Sequence, residues 1–567
     1  MMKKKQIGTL VLALIVITSL VQCKSPQKKE LKPQLDSYFE QQFNNQSGAL
    51  DEEKKPGLSV IITKKDTVLY IGNFGSADLD KRSPITENTI FDIASVSKQF
   101  TGMAIALLEE KGEIDMSDKI SKYLVDLPEA MNDITIYQLV HHSSGIRDWP
   151  MLFGLKGWQP EEPLSLDDIY ETLKKQESLN FTPGTAFSYS NSNYNLLAKL
   201  VEAVTDTTFI SWMHDFIFAP LGMNNTFYVE DYDQILDDMA NSYVYLDHNY
   251  LPFSDKLNAP GSSSLRSNAA DMSKWMTNFY SKSVGGKNVF DQITQKGRLD
   301  NNKTIDYGYG LYITEINNKK TYFHDGVWGG FRTYTVFFPE DNIGIVFLSN
   351  NGVSQSRKTI IDIANILFGK AEEKEPNDSE LIEKEINDEF FTLCAGKYEQ
   401  VDDKGCFLTF FKDDDDEYFV NVYDKNRKLY AKSDSVFYAK ESEAEIVFHL
   451  INGEVNSHTL KVNGNNYLAL KVKENIIGTS INYDKLTGPY YSKELDVKYE
   501  IRYENDELKI QYSIFPNDVI LEHAEGLTFT SNTGLIQSIS FLEEDGATIS
   551  LVINNPRAKN ILFEKIN

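Results

Sequence analysis

Hydrophobic and polar residues alternate on both sides of a polar turn early in the chain. The stretch "GLSVIITKKDTVLYIGNFG" shows this pattern, with the turn at residues 64–66. Because successive side chains of a strand point to opposite faces, alternation with period two predicts a β-hairpin here. Much later, "TYFHDG", "RTYTVFFPE" and "NIGIVFLSNN" predict three short strands, and "SRKTIIDIANILFG" predicts a helix after them.

Helical spacing begins in "FDIASVSKQF", residues 91–100. Apolar residues recur there at intervals of three and four: Val96, Phe100, Met103 and Leu107. This spacing predicts a helix that starts at or just before Ser95 and stops near Gly112. The region 115–300 is also rich in helical patterns. Strands at both ends of a helical insertion predict an α+β fold over residues 31–369, an α/β sandwich whose first and last segments share one antiparallel sheet.

The C-terminal third has a different pattern. Residues 370–387 are highly charged with few bulky apolar side chains, which predicts a linker. Short strand-like runs then continue to the end, and "CAGKYEQ" at 394 has a weak echo in "LTGPYYS" at 486. The echo predicts an all-β region of two related domains, 388–475 and 484–567, as one or two β-barrels. A single larger barrel fits nearly as well.

The N-terminus is typical of a targeting segment. A basic start, an apolar run and "LVQC" precede a polar tract, and the run is too short for a spanning helix, which needs roughly 20 residues. Residues 1–23 resemble a bacterial lipoprotein signal peptide, in which Cys23 is acylated. Gln22 departs from the small residue usual at that place, so an ordinary signal peptide is the alternative. We expect export to the cell envelope, at the membrane through a lipid anchor, facing the periplasm or the cell surface.

Composition narrows the possible partners. With 567 residues the chain is too long for one core, and 41% hydrophobic with 25% charged residues indicates ordinary globular domains. The formal net charge of −26 argues against nucleic acid as a partner, because binders of phosphate backbones concentrate Lys and Arg.

Cysteine and histidine spacing predicts no metal site, and we expect no cofactor. His141 and His142 are adjacent, and no Cys-x-x-Cys or His-x-x-x-His occurs. In the body of the chain, Cys394 and Cys406 flank a turn-like segment. A simple hairpin would set Cys406 opposite Glu399, so a disulfide is possible but not favoured.

Ser95 and Lys98 stand three residues apart at the predicted helix start. Residues three apart share a helix face, so the amine can reach the hydroxyl. A serine hydroxyl is a poor nucleophile at neutral pH and needs such a base beside it. Free backbone N–H groups at a helix start also favour a developing oxyanion. Chance spacing is the alternative, since Ser25 and Lys28 repeat it in a polar tail.

Tyr189 and Asn191 belong to a turn that leads into a helix, "FSYSNSNYNLLAKL". Tyr189 is a candidate base or proton shuttle, because a cation such as Lys98 lowers a phenol pKa from about 10 toward the working range. Asn191 can donate to and accept from a substrate amide. A turn with a core tyrosine is the alternative, since "YEN" at 503–505 repeats the Tyr-x-Asn pattern.

A third candidate group is His324, Asp325 and Gly326, on a predicted strand. If this strand runs along the edge of a cleft, a backbone N–H can complete an oxyanion hole together with that of Ser95. We expect Val327 to supply that N–H. The alternative is a sheet histidine beside a turn.

In their order and contexts, these groups resemble the serine β-lactamase and penicillin-binding-protein superfamily, in its class C β-lactamase-like branch. This branch also has segments similar to "ITIYQLVHHSSGIRD", "PLGMNNTFY" and "GSSSLRSNAADMSKW". The resemblance covers about residues 31–369. It implies that Ser95 is the acylated nucleophile, that Lys98 and Tyr189 are its proton-transfer partners, and that Asn191 orients the substrate.

His324 departs from the lactamases, which have lysine in this strand motif. A histidine there resembles the D-amino-acid peptidase, D-aminopeptidase and esterase relatives. The resemblance therefore implies a serine hydrolase acting through a Ser95 acyl-enzyme on amide, D-amino-acid peptide or ester substrates in the cell envelope. Because an unperturbed histidine is mostly neutral at pH 7, we expect a weak anchor for the carboxylate of a β-lactam.

Two alternatives stay open: a true β-lactamase, and a catalytically weak protein that binds peptidoglycan or another envelope partner. An α/β-hydrolase is disfavoured because no Gly-x-Ser-x-Gly occurs. The segment "HHSSGIRD" holds Ser, His and Asp but looks like a structural turn of the family. Arg332 lies near His324 in sequence, and the sequence alone assigns it no role. Neither the oligomeric state nor the physiological substrate is predicted.

Overall fold

One six-stranded antiparallel sheet joins the two ends of the N-terminal part (residues 31–370) in this computed structural model. The structure describes residues 31–45, 55–230, 238–370 and 384–566, except for 402–406, 414–415, 423–424, 440–443, 452, 463–464, 473–480, 513–517 and 545. The predicted signal peptide with Cys23, most of the linker and Cys406 lie outside these residues and stay predictions. Cys394 is a buried free cysteine.

Helices dominate the middle of the N-terminal part, as the spacing predicts. They are, in chain order with those of the C-terminal part, α1 Leu31–Asn45, α2 Lys98–Glu110, α3 Ile136–Val140, α4 Trp149–Lys156, α5 Leu166–Leu173, α6 Asn191–Thr205, α7 Phe209–Met213, α8 Ala219–Leu221, α9 Ala269–Ser281, α10 Gly286–Ile293, α11 Ser356–Phe368, α12 Asp388–Cys394 and α13 Tyr483–Leu486. A 3-10 turn, Ala94–Ser97, precedes α2. Among the residues described, no helix has both the length and the apolar character needed to cross a membrane.

Strands lie on both sides of this helical middle. Those before residue 370 are β1 Leu58–Lys64, β2 Thr67–Phe74, β3 Ser76–Asp78, β4 Ser83–Pro84, β5 Phe91–Asp92, β6 Phe227–Tyr228, β7 Ser242–Leu246, β8 Asn249–Phe253, β9 Leu265–Ser267, β10 Gly297–Arg298, β11 Thr304–Ile305, β12 Tyr312–Ile316, β13 Lys319–Trp328, β14 Phe331–Phe338 and β15 Ile343–Ser349. Those after it are β16 Gly396–Gln400, β17 Phe407–Lys412, β18 Tyr418–Val422, β19 Lys425–Lys428, β20 Tyr430–Ser433, β21 Val436–Tyr438, β22 Glu445–Ile451, β23 Glu454–Val462, β24 Asn465–Lys471, β25 Gly488–Ser492, β26 Val497–Glu504, β27 Glu507–Gln511, β28 Val519–Glu525, β29 Thr528–Thr533, β30 Ile536–Glu544, β31 Ala547–Asn555 and β32 Ala558–Lys565.

The six-stranded sheet has the order β12-β13-β14-β15-β1-β2. Strand β1 pairs with β15 from Leu58 opposite Ser349 to Lys64 opposite Ile343. Segments from the two ends of the N-terminal part are therefore neighbours, which confirms the predicted sandwich. The predicted hairpin is β1 and β2, with Lys65 in its turn at a φ of 57°.

Both faces of this sheet are buried. Helices α1 and α11 pack on one face with Val60, Ile62 and Ile345, and the helical middle packs on the other with Ile61 and Val346. A strand covered on both faces must be apolar at every position, because its successive side chains point to opposite faces. This explains the nearly continuous apolar runs of β1 and β15.

Two separate sheets form the C-terminal part, rather than one larger barrel. Strands β25–β32 close into an antiparallel barrel, and β16–β24 form a nine-stranded sheet. The edge strands of the nine-stranded sheet, β19 and β20, are separated in sequence by Leu429 alone, so the sheet nearly closes on itself. The domain boundaries at 388–475 and 484–567 stay predictions.

Both sheets begin with the same arrangement, here called the entry motif (394–398 and 486–490). The hydroxyls of Tyr398 and Tyr490 each donate to the carbonyl oxygen four residues earlier, at 2.9 Å. Gly396 and Gly488 have φ angles of 128° and 118°, which glycine adopts without the clash of a Cβ. The echo between the two sequence words is therefore also a structural one.

The closed barrel packs against the N-terminal part, and its apolar interior belongs to the same buried cluster as the helical middle. The buried side chain of Arg147 forms an ion pair with Glu494 of the barrel. Tyr499 donates its hydroxyl to the carbonyl of Leu155 at 2.8 Å. The nine-stranded sheet, in contrast, encloses a buried cluster of its own.

Candidate active site

Ser95 lies on the 3-10 turn that leads into α2, so the predicted helix start is confirmed. It is the one residue of "FDIASVSKQF" that is not buried. The preceding Ala94 has a φ of 48°, a left-handed value that is unfavourable for a residue with a Cβ. The backbone N–H of Ala94 donates to Asp92 Oδ1 at 2.7 Å, which stabilises this conformation. The strained backbone thus presents the Ser95 hydroxyl at the surface of the core.

Lys98 is fully buried, and its side-chain nitrogen has three polar neighbours. Nζ lies 3.0 Å from Ser95 Oγ, 2.8 Å from Asn191 Oδ1 and 2.7 Å from the carbonyl oxygen of Ser262. The structure therefore brings together three of the residues that the motifs predict, and it adds a backbone carbonyl that they do not.

Burial lowers the pKa of Lys98 well below its ordinary value, because the charged amine loses its hydration, while the carboxylate of Asp148 acts in the opposite direction. A neutral amine has two N–H groups and one lone pair. The oxygens of Asn191 and Ser262 accept the two N–H groups, and the lone pair is then free to accept the hydroxyl proton of Ser95. The geometry fits a lysine that acts as a base.

Asp148 fixes the orientation of the Asn191 side chain. Its fully buried carboxylate accepts from the backbone N–H of Asn191 at 2.7 Å and from Asn191 Nδ2 at 3.0 Å. A carboxylate can only accept, so it selects the amide nitrogen and leaves Oδ1 to face Lys98. Asn191 is the first residue of α6, as the predicted turn and helix require.

Tyr189 lies beside the same amine, with Lys98 Nζ 4.9 Å from its ring centroid. The expectation that this cation brings the Tyr189 pKa down is wrong. Burial raises the pKa of Tyr189 well above its ordinary value, and Tyr312 raises it further, while a hydrogen bond with Ser95 acts in the opposite direction. This direction favours the neutral phenol of Tyr189, a form that can relay a proton.

His324 lies on β13, as predicted, and is buried. Its Nδ1 is 2.6 Å from the carbonyl oxygen of Asp325, and its Nε2 is 3.1 Å from the hydroxyl of Tyr307. These partners fit a neutral ring that donates from Nδ1 and accepts at Nε2. Burial first and the charge of Lys98 second lower the pKa of His324 to about 3, while the hydrogen bond to the Asp325 carbonyl acts in the opposite direction. Arg332 donates through Nη1 to the backbone carbonyls of Gly329 and Phe331, both at 2.8 Å.

Strand β13 comes close to the 3-10 turn at Gly326. A Cβ at this position would lie 2.4 Å from the carbonyl oxygen of Ile93, a distance that only glycine avoids. Thr333, on β14, donates its hydroxyl to the same carbonyl at 2.9 Å. Val327 follows directly, and its side chain is more than half exposed. The backbone segments that carry Ser95 and Val327 are therefore neighbours.

Adjacent His141 and His142 are both buried behind the site, and burial lowers the pKa of His141 to about 4. The ring of His142 lies 4.5 Å from that of Tyr189, and burial lowers the pKa of His142 well below its ordinary value. His141 Nδ1 is 2.9 Å from the carbonyl oxygen of Tyr307. Across the ranges that the structure describes, no group of three or more His, Cys, Asp and Glu side chains is placed to hold a metal ion.

Two side chains that the motifs did not single out support the site. Asp148 ends the segment "HHSSGIRD", and it acts through Asn191, in keeping with a structural segment. Arg557 belongs to the closed barrel, and its Nη1 lies 2.8 Å from Asp148 Oδ2. No local pattern marks Arg557, because its partner comes from a distant part of the chain.

Known proteins match this chain at the level of both sequence and fold. Residues 39–367 match the sequence model of the beta-lactamase family. A penicillin-binding protein of Bacillus subtilis (strain 168) is 26% identical over 447 residues, 75% of this chain and 97% of that protein. A D-aminopeptidase of Brucella anthropi is 26% identical over 313 residues, 55% of this chain and 59% of that protein. The structure of an octameric penicillin-binding protein homologue from Pyrococcus abyssi has the same fold, with a TM-score of 0.53 at 20% identity over 86% of this chain and 98% of that one.

The fold and the family match define a serine hydrolase of the β-lactamase and penicillin-binding-protein class. The family match covers more than half of the sequence, and the chain belongs to the beta-lactamase family. The resemblance drawn from the motifs is thereby confirmed, together with the fold class that it implies.

Proposed function

We propose that Ser95 is the nucleophile of a hydrolase that works through an acyl-enzyme. The placement of Lys98 carries this proposal, because its Nζ is 3.0 Å from Ser95 Oγ while two other oxygens occupy its N–H groups. A neutral amine held in this way takes the hydroxyl proton as the oxygen attacks. A chance Ser-x-x-Lys pair on a surface would not account for a fully buried lysine.

In the proposed cycle, Ser95 Oγ attacks the substrate carbonyl carbon and its proton passes to Lys98. The carbonyl oxygen becomes an oxyanion, with the backbone N–H groups of Ser95 and Val327 as its donors. The proton then moves through the neutral phenol of Tyr189 to the leaving nitrogen or oxygen, whose bond to carbon breaks. Water then attacks the ester carbon and gives a proton to the same groups. The bond between Ser95 Oγ and that carbon breaks, the proton passes to Ser95 Oγ, and the acid is released. Asn191 orients the substrate amide.

Small esters and D-amino-acid amides or peptides are the substrates that we propose. His324 is neutral, so this position of β13 provides no cation for the carboxylate of a β-lactam. The likeness to a D-aminopeptidase supports the amide and peptide part of the proposal. We expect β-lactams to acylate Ser95 but to leave slowly.

The substrate proposal is tested by measuring kcat/KM for nitrocefin, p-nitrophenyl butyrate and D-alanine amide on one preparation, with Ser95→Ala as the blank. We expect the ester or the amide to be turned over fastest and Ser95→Ala to lose all three activities. Nitrocefin turnover above both others by about tenfold, or about 1.4 kcal/mol in transition-state binding, would identify a working β-lactamase instead. Turnover by Ser95→Ala within a few-fold of the wild type would remove Ser95 from the mechanism.

We further propose that the mature protein works in the cell envelope, anchored by a lipid on Cys23. The support is the sequence of residues 1–23, with its basic start and apolar run. In cells, a Cys23→Ser variant should move from the membrane fraction to the soluble exported fraction. If the variant stays with the membranes as the wild type does, the lipid is not the anchor.

A further inference from the structure

Arg557 reaches the active site from the turn between β31 and β32 of the closed barrel. Its Nη1 lies 2.8 Å from Asp148 Oδ2, and the backbone N–H of Asp148 donates to the carbonyl oxygen of Arg557 at 2.9 Å. The two residues therefore bind each other through both backbone and side chain. The Arg557 side chain keeps about a third of its surface exposed, whereas that of Asp148 has none.

Further hydrogen bonds hold this turn in place. Asn555 Oδ1 accepts from the backbone N–H groups of Arg557 and Ala558, at 3.0 Å and 2.6 Å. From the N-terminal part, Asn180 donates through Nδ2 to the carbonyl oxygen of Arg557 at 3.0 Å and accepts from the backbone N–H of Lys559 at 2.8 Å. The guanidinium is thus delivered by a turn that is bonded on both sides, rather than by a free surface side chain.

A series of contacts leads from this turn to the nucleophile. Arg557 pairs with Asp148, Asp148 holds the amide of Asn191, Asn191 accepts from Lys98, and Lys98 contacts Ser95. A buried carboxylate needs donors and an opposite charge to stay ionised. Asn191 provides donors to Asp148, and Arg557 provides the charge.

Burial raises the pKa of Asp148, and Arg557, the N–H groups of Asn191 and the charge of Lys98 act in the opposite direction. If Arg557 were absent, the Asp148 carboxylate would favour the protonated form of Lys98 as its counter-charge. A protonated lysine has no lone pair for the proton of Ser95. Alternatively, Asp148 would itself take up a proton and could then present a donor to Asn191. Either result would remove the arrangement that lets Lys98 act as a base.

We propose that Arg557 is a positioning residue of the active site, through which the closed barrel completes the catalytic centre. It balances the charge of Asp148, so that Asp148 can orient Asn191 without making Lys98 its counter-ion. The inference rests on the proposed roles of Ser95 and Lys98. Arg557 acts here through Asp148 and touches neither the substrate nor the reacting atoms.

The test uses the full-length chain and p-nitrophenyl butyrate, a substrate without a carboxylate. Arg557→Gln should lower kcat at least about tenfold with KM changed by less than about threefold, because small misplacements of catalytic groups reduce rates strongly. Arg557→Lys, which restores a positive charge, should recover part of the loss. The matched control is Lys493→Ala, which also removes a barrel cation paired across the interface, with Glu177 at 3.5 Å, but on exposed surface. Its kcat should stay within about twofold of the wild type.

A second arm repeats Arg557→Gln in an Asp148→Asn background. If Arg557 acts through Asp148, its replacement there should change kcat by less than about twofold, because the two losses share one cause. An equal loss in both backgrounds would overturn the proposal, and so would wild-type kcat in Arg557→Gln. If Asp148→Asn has no measurable turnover, the test depends on Arg557→Lys. A kcat for Arg557→Lys that is no higher than that of Arg557→Gln counts against the proposal.

Two further outcomes have different meanings. A loss confined to KM for a D-Ala-D-Ala peptide, with p-nitrophenyl butyrate unaffected, would make Arg557 a substrate anchor and overturn the positioning role. If the wild-type protein shows no turnover, or shows turnover that Ser95→Ala retains, the proposed function itself is refuted. Far-ultraviolet circular dichroism and the thermal unfolding midpoint show whether each variant is folded. If Arg557→Gln does not fold, the kcat of Arg557→Lys is compared with that of the wild type instead.

Discussion

The two sheets of the C-terminal part share an entry motif but differ in what they contact. In each sheet, a lysine of the last strand contacts the tyrosine of the entry motif. The Nζ atoms of Lys471 and Lys565 lie 5.6 Å from the ring centroids of Tyr398 and Tyr490. Each lysine also donates to a backbone carbonyl of the short helix that precedes the sheet, at 2.8 Å and 2.7 Å. The same framework therefore opens both sheets.

The difference lies in residues outside that framework. Arg147 and Asp148 are adjacent and buried, and each obtains its opposite charge from the closed barrel, from Glu494 and Arg557. The buried side chains of the nine-stranded sheet pack among themselves. The comparison shows that the repeated framework makes a stable sheet, while a few charges added to one copy connect that copy to the active site.

The largest expected effect is the loss of the buried ion pair. Glu494→Ala leaves Arg147 buried without its carboxylate, and breaking a buried pair in this way lowers the free energy of unfolding by about 3–5 kcal/mol. The control is Glu445→Ala, which removes a surface ion pair with Lys432 in the nine-stranded sheet. This change should alter the free energy of unfolding by less than about 1 kcal/mol. Both free energies are measured by urea unfolding, with the loss of esterase activity as the signal. Similar losses would mean that the interface does not depend on this pair.

A smaller effect compares the two entry motifs directly. Tyr398→Phe and Tyr490→Phe each remove one buried hydrogen bond of the same length, a loss of about 1 kcal/mol in each case. Because the closed barrel contacts the active site, Tyr490→Phe should lower the temperature of inactivation more than Tyr398→Phe does. Circular dichroism melting curves, recorded beside residual activity, separate the two. If Tyr398→Phe loses activity at the same lowered temperature as Tyr490→Phe, the expected difference between the two sheets is contradicted.

The smallest effect is a shift in pH dependence. Lys98 must be neutral to accept the Ser95 proton, so kcat/KM falls as the pH drops through the pKa of Lys98. Burial lowers that pKa most, Asp148 opposes this effect, and Arg557 lowers the pKa further. In Arg557→Gln the pKa of Lys98 should rise, which moves the acid limb to higher pH. Lys493→Ala should leave the limb in place, and a limb that moves to lower pH would contradict the assignment.

Features that depend on neighbours in sequence could be predicted. Ser95 and Lys98 approach each other because residues three apart meet on one turn, whatever the rest of the fold does. The strand carrying His324 and the helix beginning at Asn191 have clear periodic patterns and turn residues. The pairing of β1 with β15 followed from strands at both ends of a helical insertion.

Features that depend on distant segments could not be predicted. The pKa of Tyr189 was expected to follow the charge of Lys98, but burial among residues from other segments, such as His142, raises it, and Tyr312 raises it further. Arg557 stands in an ordinary turn, and its importance depends on a carboxylate from the other end of the fold. Desolvation and long-range ion pairs are properties of the packed molecule, and a local pattern carries no record of them.

The pairing of Arg557 with Asp148 also has a consequence for synthesis. A chain is made from its N-terminus, and Arg557 follows Asn191 by roughly 370 residues. At about 5–20 residues per second, the ribosome adds Arg557 about 20–70 s after Asn191. During this interval the nascent N-terminal part holds Asp148 without its partner, so the last catalytic support to be translated arrives only after nearly the whole polypeptide has been made.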